Sequence, residues 1–205
     1  MYVEPQFTFK YALGETGKMA HDGGNRAPRA DSARNRLRIL GTARRLIDSV
    51  GAEVPMAEIA AEAGVAVGTL YNHFPTKSDL VAAIVSDYVR EVAGRAVELR
   101  EEVEAGAPAG ASLFDFLAFV MELTARSQAA KIANGGVTSA AAAESEQRAA
   151  AELAWVIGAA QDEGSVRPDL TVEDLYLLIN TAPLGATSAQ RSRWLDFLTT
   201  GLRQS

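Results

Sequence analysis

The feature that most constrains this chain is a single glycine between two short stretches of helical periodicity, within residues 56–77. Before the glycine, apolar residues recur every three or four positions, as on one face of a helix. These residues are Met56, Ile59, Ala60 and Ala63. Gly64 takes a positive φ at little cost and so allows a sharp turn. A second helical pattern follows and ends at Pro75, which has no N–H to donate. The stretch therefore predicts helix, tight turn and helix.

This arrangement lets one helix cross the DNA backbone while the next lies in the major groove. The residue types also match a known pattern at several separated positions without a gap. They are Ile59-Ala60, Ala63-Gly64-Val65, Gly68-Thr69-Leu70-Tyr71, His73-Phe74, Lys77 and Leu80. Over residues 37–84 the sequence closely resembles the DNA-binding domain of TetR-family transcriptional regulators.

Two positions depart from the usual pattern of that family. Pro55 stands where the family often has threonine, and Ala66 stands where it often has serine. Both hydroxyls serve as helix caps or bind phosphate. We expect Pro55 to open the first short helix as its first residue, and Ala66 to leave one contact to the DNA backbone unmade.

The second short helix, residues 67–74, is expected to be the recognition helix. Its N-terminal residues Val67, Gly68 and Thr69 should face base edges, and Gly68 lets the helix lie close to the DNA. Thr69 can form a hydrogen bond with a base or place its methyl group against thymine. Asn72 follows on the same helix and belongs to the expected DNA-binding set. Because these side chains are small, operator choice should depend partly on DNA shape.

Phosphate contacts are expected at the end of this helix and beside it. The resemblance implies that Tyr71 and His73 reach phosphates, with Lys77 at the start of the next helix as a further anchor. Arg36 stands among three arginines near the start of the first helix, where cations oppose the helix dipole. We expect phosphates near Arg36, although an ordinary charged helix face explains this cluster equally well.

The charge of the chain is divided unevenly, although its net value of −6 at first argues against nucleic acid. Residues 26–80 hold eight Lys or Arg and six Asp or Glu, a net charge of +2. Residues 81–205 hold ten and seventeen, a net charge of −7. A mildly basic N-terminal part on an acidic body fits one end that faces DNA and another that must avoid it.

Helical periodicity continues through the rest of the chain, and no stretch alternates as a strand would. We expect a mobile tail over residues 1–30 and a chain break at Asn134-Gly135-Gly136. One helix is expected before the turn motif, over residues 31–50. After the motif, we expect a long helix that Thr76 and Asp79 cap and a helix that Ser112 and Asp115 cap. Three further helices are expected over residues 139–163, 171–179 and 189–203. The predicted fold is all-α. An N-terminal three-helix helix-turn-helix DNA-binding domain, residues 31–77, joins a larger helical effector-binding and dimerisation domain, residues 78–205.

The C-terminal domain should carry two binding surfaces. The resemblance implies a small-molecule pocket between its helices. The residues that would line it are Phe114, Phe116, Phe119, Met121 and Trp155, although such a stripe at helical spacing is more often core than pocket. The helices near 139–163 and 189–203 are expected to form a four-helix dimer face, because small alanine side chains allow close approach. The family usually dimerises through its final two long helices, and Trp155 and Trp194 are equally well interface anchors or core residues.

Little in the sequence points to catalysis. The chain has no cysteine, and its two histidines are far apart, so we expect neither a thiolate nucleophile nor a metal site. No apolar run approaches the roughly 18–20 residues of a membrane span, and the N-terminus lacks the pattern of a secretory signal. We therefore expect a cytoplasmic protein that is not an enzyme and has no cofactor.

The sequence thus predicts a homodimeric transcriptional regulator that binds a palindromic operator in double-stranded DNA. By the habit of the family, it would repress transcription until a small-molecule effector lowers its affinity for DNA. The alternative is a helical partner-binding protein with a degenerate DNA-binding head. Retention of Thr69, Tyr71, His73 and Lys77 disfavours that alternative.

Overall fold

The computed structural model contains only helices among the residues it describes, which are 27–51, 53–127 and 140–204. The predicted all-α fold is therefore confirmed. The helices are α1 (Ala27–Val50), α2 (Met56–Glu62), α3 (Val67–His73), α4 (Lys77–Glu104), α5 (Ala109–Arg126), α6 (Ala140–Asp162), α7 (Val172–Asn180) and α8 (Ser188–Leu202). Residues 1–26 of the predicted tail and the predicted break at Asn134-Gly135-Gly136 lie outside the described residues.

The head of the molecule consists of α1, α2, α3 and the first two turns of α4. Its core is closed by side chains from all four helices, and the largest fully buried ones are Ile39, Ile47, Ile59, Leu70, Leu80 and Ile84. On the surface, Arg45 of α1 donates to Glu62 of α2 over 3.0 Å. α1 is already helical at Ala27, the first residue that the structure describes, which is about one turn before the start predicted from the sequence pattern.

The helix starts in the head depend on backbone geometry that residue types indicate only in part. Pro55 is the N-cap of α2, with φ −65° and ψ 144°, and its carbonyl accepts hydrogen bonds from Glu58 and Ile59, each over 3.1 Å. The expectation that Pro55 is the first helical residue is therefore wrong. α4 does begin with the predicted capping box, since Asp79 N–H donates to Thr76 Oγ1 (3.1 Å) and Thr76 N–H donates to Asp79 Oδ2 (3.0 Å).

α4 runs through both halves of the molecule. Leu80 and Ile84 belong to the core of the head, and Leu99 lies at the centre of a second core in the body, which comprises the rest of α4 together with α5 to α8. Between the two cores, Tyr88 and Val89 pack with Ala142 of α6. A single helix therefore joins the head to the body.

α5 begins at Ala109, one turn earlier than the predicted Ser112–Asp115 cap. The carboxylate of Glu163, which follows α6, accepts hydrogen bonds from the N–H groups of Ala109 (2.9 Å) and Gly110 (3.3 Å). These bonds satisfy two of the free donors that every helix N-terminus carries. The cap of α5 thus comes from a residue far along the chain, and the local pattern is not the one used.

The remaining helices complete the body around α6, which packs against α4 and α5. α7 begins with the predicted capping box between Thr171 and Asp174. α8 has a similar box between Thr187 and Gln190, one residue earlier than the predicted helix start. α7 and α8 have few buried side chains, with Leu175 and Leu202 the buried residue of each.

Candidate DNA-binding face and body cavity

The turn between α2 and α3 is built around Gly64, which has φ +63°. Gly64 N–H donates to the Ala61 carbonyl over 3.1 Å, and Val65 N–H donates to the Ala60 carbonyl over 3.0 Å. This pair of bonds closes the end of α2 in the way that favours glycine at the left-handed position. The turn therefore sets the direction in which α3 leaves α2.

Two buried anchors set the rotation of α3 about its own axis. Leu70 is fully buried and Phe74, just after the helix, is almost so. Because residues three and four apart share a face of a helix, the opposite side of α3 is turned to solvent. That side, which we call the recognition face, consists of Val67, Gly68, Tyr71 and Asn72, with Val67 43% and Tyr71 46% exposed. Thr69 lies beside it and is half-buried.

The other predicted DNA-binding residues lie around Phe74. The guanidinium of Arg36 in α1 lies 4.5 Å from the centroid of the Phe74 ring, a cation–π distance. The ring of the half-buried His73 lies 6.4 Å from that of Phe74. Lys77 is the first residue of α4 and is half-buried. The structure thus brings the side chains of Arg36 and His73 next to the Phe74 ring, at the end of α3.

Arg36 differs from its two neighbouring arginines on α1. Arg34 pairs with Asp31, and Arg38 donates to Asn35 over 2.8 Å. Both of those contacts lie within α1, whereas the stack on Phe74 ties Arg36 to the end of α3. Arg36 therefore holds an exposed positive charge at a fixed position beside the recognition face.

The departure at Ala66 is visible at the start of α3. Ala66 is the N-cap, and no side chain caps the helix there. Its carbonyl accepts hydrogen bonds from Thr69 (2.9 Å) and Leu70 (3.2 Å), so the helix starts without a hydroxyl. The backbone alone forms this helix start.

The body contains a cavity of about 340 Å³ between α4, α5, α6 and α7. Its apolar walls are formed chiefly by Val89, Val92, Phe116, Val120, Leu153 and Ile179. Four polar side chains also line it, namely Tyr88, Glu146, Tyr176 and Asn180. A mostly apolar cavity with a few polar groups is typical of small-molecule sites.

Of the five residues predicted to line a pocket, Phe116 lines this cavity. Met121 is buried away from it, and Phe119 packs against the body core. Phe114 lies beneath the guanidinium of Arg203, 5.4 Å from its ring centroid. Trp155 is 37% exposed, with the guanidinium of Arg100 4.8 Å from its ring. The aromatic stripe of α5 thus divides between core, surface and cavity.

Sequence reasoning missed the polar lining of the cavity. Tyr88 has the spacing of a core residue on α4, and its side chain is buried. The Thr124 hydroxyl donates to the Val120 carbonyl (2.7 Å), so the Tyr88 hydroxyl donates to Thr124 Oγ1 (2.7 Å). Burial raises the pKa of Tyr88, which keeps the phenol protonated. No local pattern marks Tyr88, Glu146 or Tyr176 as neighbours, since they come from three different helices.

Within 27–51, 53–127 and 140–204, no group of three or more His, Asp or Glu side chains is placed to hold a metal ion. Over those same ranges, no helix combines the length and the apolar character needed to cross a membrane.

Two family models together match the chain from the middle of α1 onward. Residues 39–84 match the model of bacterial regulatory proteins of the tetR family. Residues 84–204 match the C-terminal domain of SbtR-like transcriptional regulators. The second match alone covers more than half of the chain and contains the cavity.

Two solved structures agree with these matches. A TetR transcription regulatory protein from Mycobacterium vanbaalenii is 34% identical, with a TM-score of 0.62 over 86% of this chain and 99% of that one. A TetR transcriptional regulator from Streptomyces coelicolor is 26% identical, with a TM-score of 0.62 over 83% and 99% of the two chains.

Curated relatives match over part of the chain. An HTH-type transcriptional regulator of Staphylococcus aureus is 45% identical over 58 residues, which are 28% of this chain and 31% of that protein. The match thus spans about a third of the length of these relatives. Taken with the two family models and the full-length structural likeness, it identifies the chain as a member of the TetR family of DNA-binding transcriptional regulators.

Proposed function

We propose that this chain is a cytoplasmic, homodimeric repressor that binds a palindromic operator and is released from it by a small-molecule effector. The observation that carries the proposal is the recognition face. α3 turns Val67, Gly68, Tyr71 and Asn72 to solvent, and the exposed charge of Arg36 lies next to it. Such a face on the second helix of a helix-turn-helix is what the major groove accepts.

The contacts with DNA divide between reading and positioning. We assign Val67 and Thr69 to base edges, because their methyl groups suit the methyl group of thymine. Tyr71, His73, Lys77 and Arg36 are assigned to phosphates, which fix register without reading sequence. Since the two side chains assigned to base edges are short and Gly68 has none, DNA shape should contribute to operator choice.

Dimerisation is proposed because one such head has a small interface with DNA, and two heads at a fixed spacing match a palindrome. We centre the dimer face on α7 and α8, where Leu177 is 62% and Phe197 66% exposed. A dimer formed through α7 and α8 would remove these two apolar side chains from water. The sequence pattern instead pairs α6 with α8, and the exposed side of α6, which includes Trp155, makes this pairing the alternative dimer face.

Effector release is proposed from the position of the cavity beside α4. Tyr88, Val89 and Val92 of α4 line the cavity, and Leu80 and Ile84 of the same helix pack in the core of the head. Arg44 of α1 also pairs with Glu91 of α4 over 2.9 Å. A ligand that binds better when α4 is shifted would favour a head spacing that no longer fits the operator.

The proposal is tested by selecting genomic DNA fragments with the purified protein and titrating the best fragment at two salt concentrations. We expect a palindrome, bound by a dimer, with affinity that falls steeply with salt as phosphate contacts require. If a folded dimer without effector shows no sequence preference, the proposal fails. The partner-binding alternative then takes its place.

Single substitutions in the head should separate reading from positioning. We expect Tyr71→Ala and Lys77→Ala to weaken binding about tenfold on operator and random DNA alike, because phosphate contacts are independent of sequence. Lys77→Ala should also lower the slope of affinity against salt. Thr69→Ala should instead relax the preference at one operator position. Fluorescence anisotropy with operator and random duplexes measures both effects, and equal losses on both duplexes for Thr69→Ala would remove Thr69 from the base-reading residues.

A further inference from the structure

Glu146 is the one charged residue among the described residues that line the cavity in the body. Among those same lining residues there is no Lys, Arg or His. The other polar groups are the phenols of Tyr88 and Tyr176 and the amide of Asn180. The cavity therefore combines apolar walls with a single negative charge.

Glu146 is half-buried on α6, next to Tyr176 of α7. The Tyr176 hydroxyl donates to the Glu146 backbone carbonyl over 3.5 Å, which holds the phenol beside this turn of α6. The neighbouring charges on α6, Glu144 and Arg148, are both exposed. Residues two apart in a helix do not share a face, so Arg148 is not positioned to neutralise Glu146 from its own helix.

The phenol beside Glu146 is affected by this charge. Burial raises the pKa of Tyr176, and the negative charges of Glu146 and Glu173 raise it further. A tyrosine phenol is neutral at physiological pH, so Tyr176 adds no charge of its own and offers an aromatic ring to a cation. The charge effect, unlike burial, indicates negative charge near the Tyr176 phenol.

We propose that the effector of this regulator is a small lipophilic amine, whose protonated nitrogen pairs with Glu146 and whose apolar body lies against Phe116. This inference rests on the proposed function, because it assigns the chemistry of the effector that releases the protein from DNA. An anionic ligand would bury its charge next to a carboxylate with no cation among the described lining residues, which is unfavourable. A cation gains a charge-assisted hydrogen bond from Glu146 and aromatic contacts from the two phenols.

The size of the cavity limits the ligand. A volume of about 340 Å³ lies near the lower end of the range for small-molecule sites. One or two rings fill such a space, and a single amine suffices for the single carboxylate. Biphenyl compounds with different end groups are therefore suitable probes.

The test compares three probes that share the biphenyl body, namely 4-biphenylmethylamine, 4-biphenylmethanol and 4-biphenylcarboxylate. Binding to the full chain is measured by isothermal titration calorimetry at pH 7. We expect the amine to bind about tenfold more tightly than the alcohol, as a hydrogen bond to a charged group requires. The carboxylate should bind most weakly of the three.

Variants of α6 assign the preference to Glu146. Glu146→Gln should reduce the affinity for the amine to about that for the alcohol, and Glu146→Lys should make the carboxylate the preferred probe. Glu144→Gln is the matched control, because it removes the same charge from an exposed position on the same helix that does not line the cavity. It should leave the order of the three probes unchanged.

The inference is overturned if the carboxylate binds as tightly as the amine, if Glu144→Gln and Glu146→Gln have equal effects, or if no probe binds to the folded protein. Operator binding by the same preparations is measured separately. Intact operator binding without a preference for the amine overturns this inference alone, whereas absent operator binding overturns the proposed function whatever the probes do. Release of operator by saturating amine would support both.

Discussion

The head and the body of this protein differ in how their functional positions are fixed. In the head, the recognition face depends on signals that are close in sequence. Gly64 sets the turn, and Leu70 and Phe74 set the rotation of α3. In the body, the cavity takes its lining from α4, α5, α6 and α7, over residues 88–180. Local chemistry therefore determines the DNA-binding face, whereas the cavity depends on how distant helices pack.

The same difference should affect stability. The core of the head and that of the body are separate groups of buried side chains, linked through α4. α3 has one fully buried residue, whereas α5 contributes several to the larger core. We expect damage to the head to remove DNA binding while leaving the body folded.

The largest effect is expected from matched truncations in the two cores. Leu70 in the head and Leu113 in the body are both fully buried. Each change to alanine should lower the free energy of unfolding by about 2–5 kcal/mol, because it removes buried methyl groups and leaves a cavity. Leu70→Ala should lose operator binding and remain a dimer, whereas Leu113→Ala should destabilise the body. Urea denaturation and sedimentation measure these results. Loss of the dimer in Leu70→Ala would mean that head and body unfold as one unit.

A smaller effect distinguishes Gly64, which lies in the turn, from Gly68, which lies in α3. A Cβ added at either Gly64 or Gly68 meets no atom within 4 Å, so the backbone decides the outcome. Gly64→Ala should destabilise the protein by about 1–2 kcal/mol, because Gly64 is left-handed. Gly68→Ala should stabilise it by up to about 1 kcal/mol, since Gly68 is helical. It should nevertheless weaken operator binding, because the methyl group lies on the recognition face. Thermal unfolding and anisotropy test this pair, and unimpaired binding by Gly68→Ala would mean that α3 does not approach the DNA closely there.

The smallest effect concerns the cap of α5. The N–H groups of Ala109 and Gly110 hold the pKa of Glu163 below its ordinary value. The unfolded chain therefore binds a proton more readily, so this stabilisation is present above the ordinary glutamate pKa of about 4.3 and is lost as pH falls through the folded value. Glu163→Gln should have a slightly lower Tm than the parent protein at pH 7, and the difference should shrink below about pH 4.3. Asp162→Asn is the control at the exposed neighbouring position. A difference in Tm that does not change with pH would show that the charge of Glu163 does not contribute.

The features that could be predicted from the sequence are those fixed by residues close together in the chain. The turn at Gly64, the buried Leu70 and the capping boxes at Thr76 and Thr171 each depend on residues within one or two turns. The start of α5 could not be predicted, because its cap, Glu163, is 54 residues away from Ala109.

The lining of the cavity could not be predicted from local patterns for a related reason. The prediction used the large side chains on α5 and Trp155, yet Phe116 alone among the five predicted residues lines the cavity. The polar lining comes from Tyr88, Glu146 and Tyr176, whose proximity is created by the packing of three helices. The sequence around a glutamate on a helix does not tell whether its carboxylate faces a cavity or solvent.

α4 also converts a small movement in the body into a larger movement of the head. Its 28 residues make a rod about 42 Å long, at 1.5 Å per residue. If the body end stays fixed, a tilt of only about 5° moves the head end by roughly 3.5 Å. That distance is close to the rise of one base pair, about 3.4 Å. Tyr88 lies 16 residues, or about 24 Å, from the body end, so the same tilt moves it by about 2 Å. A displacement of about 2 Å at the cavity wall is thus enough to move a head out of register with the groove.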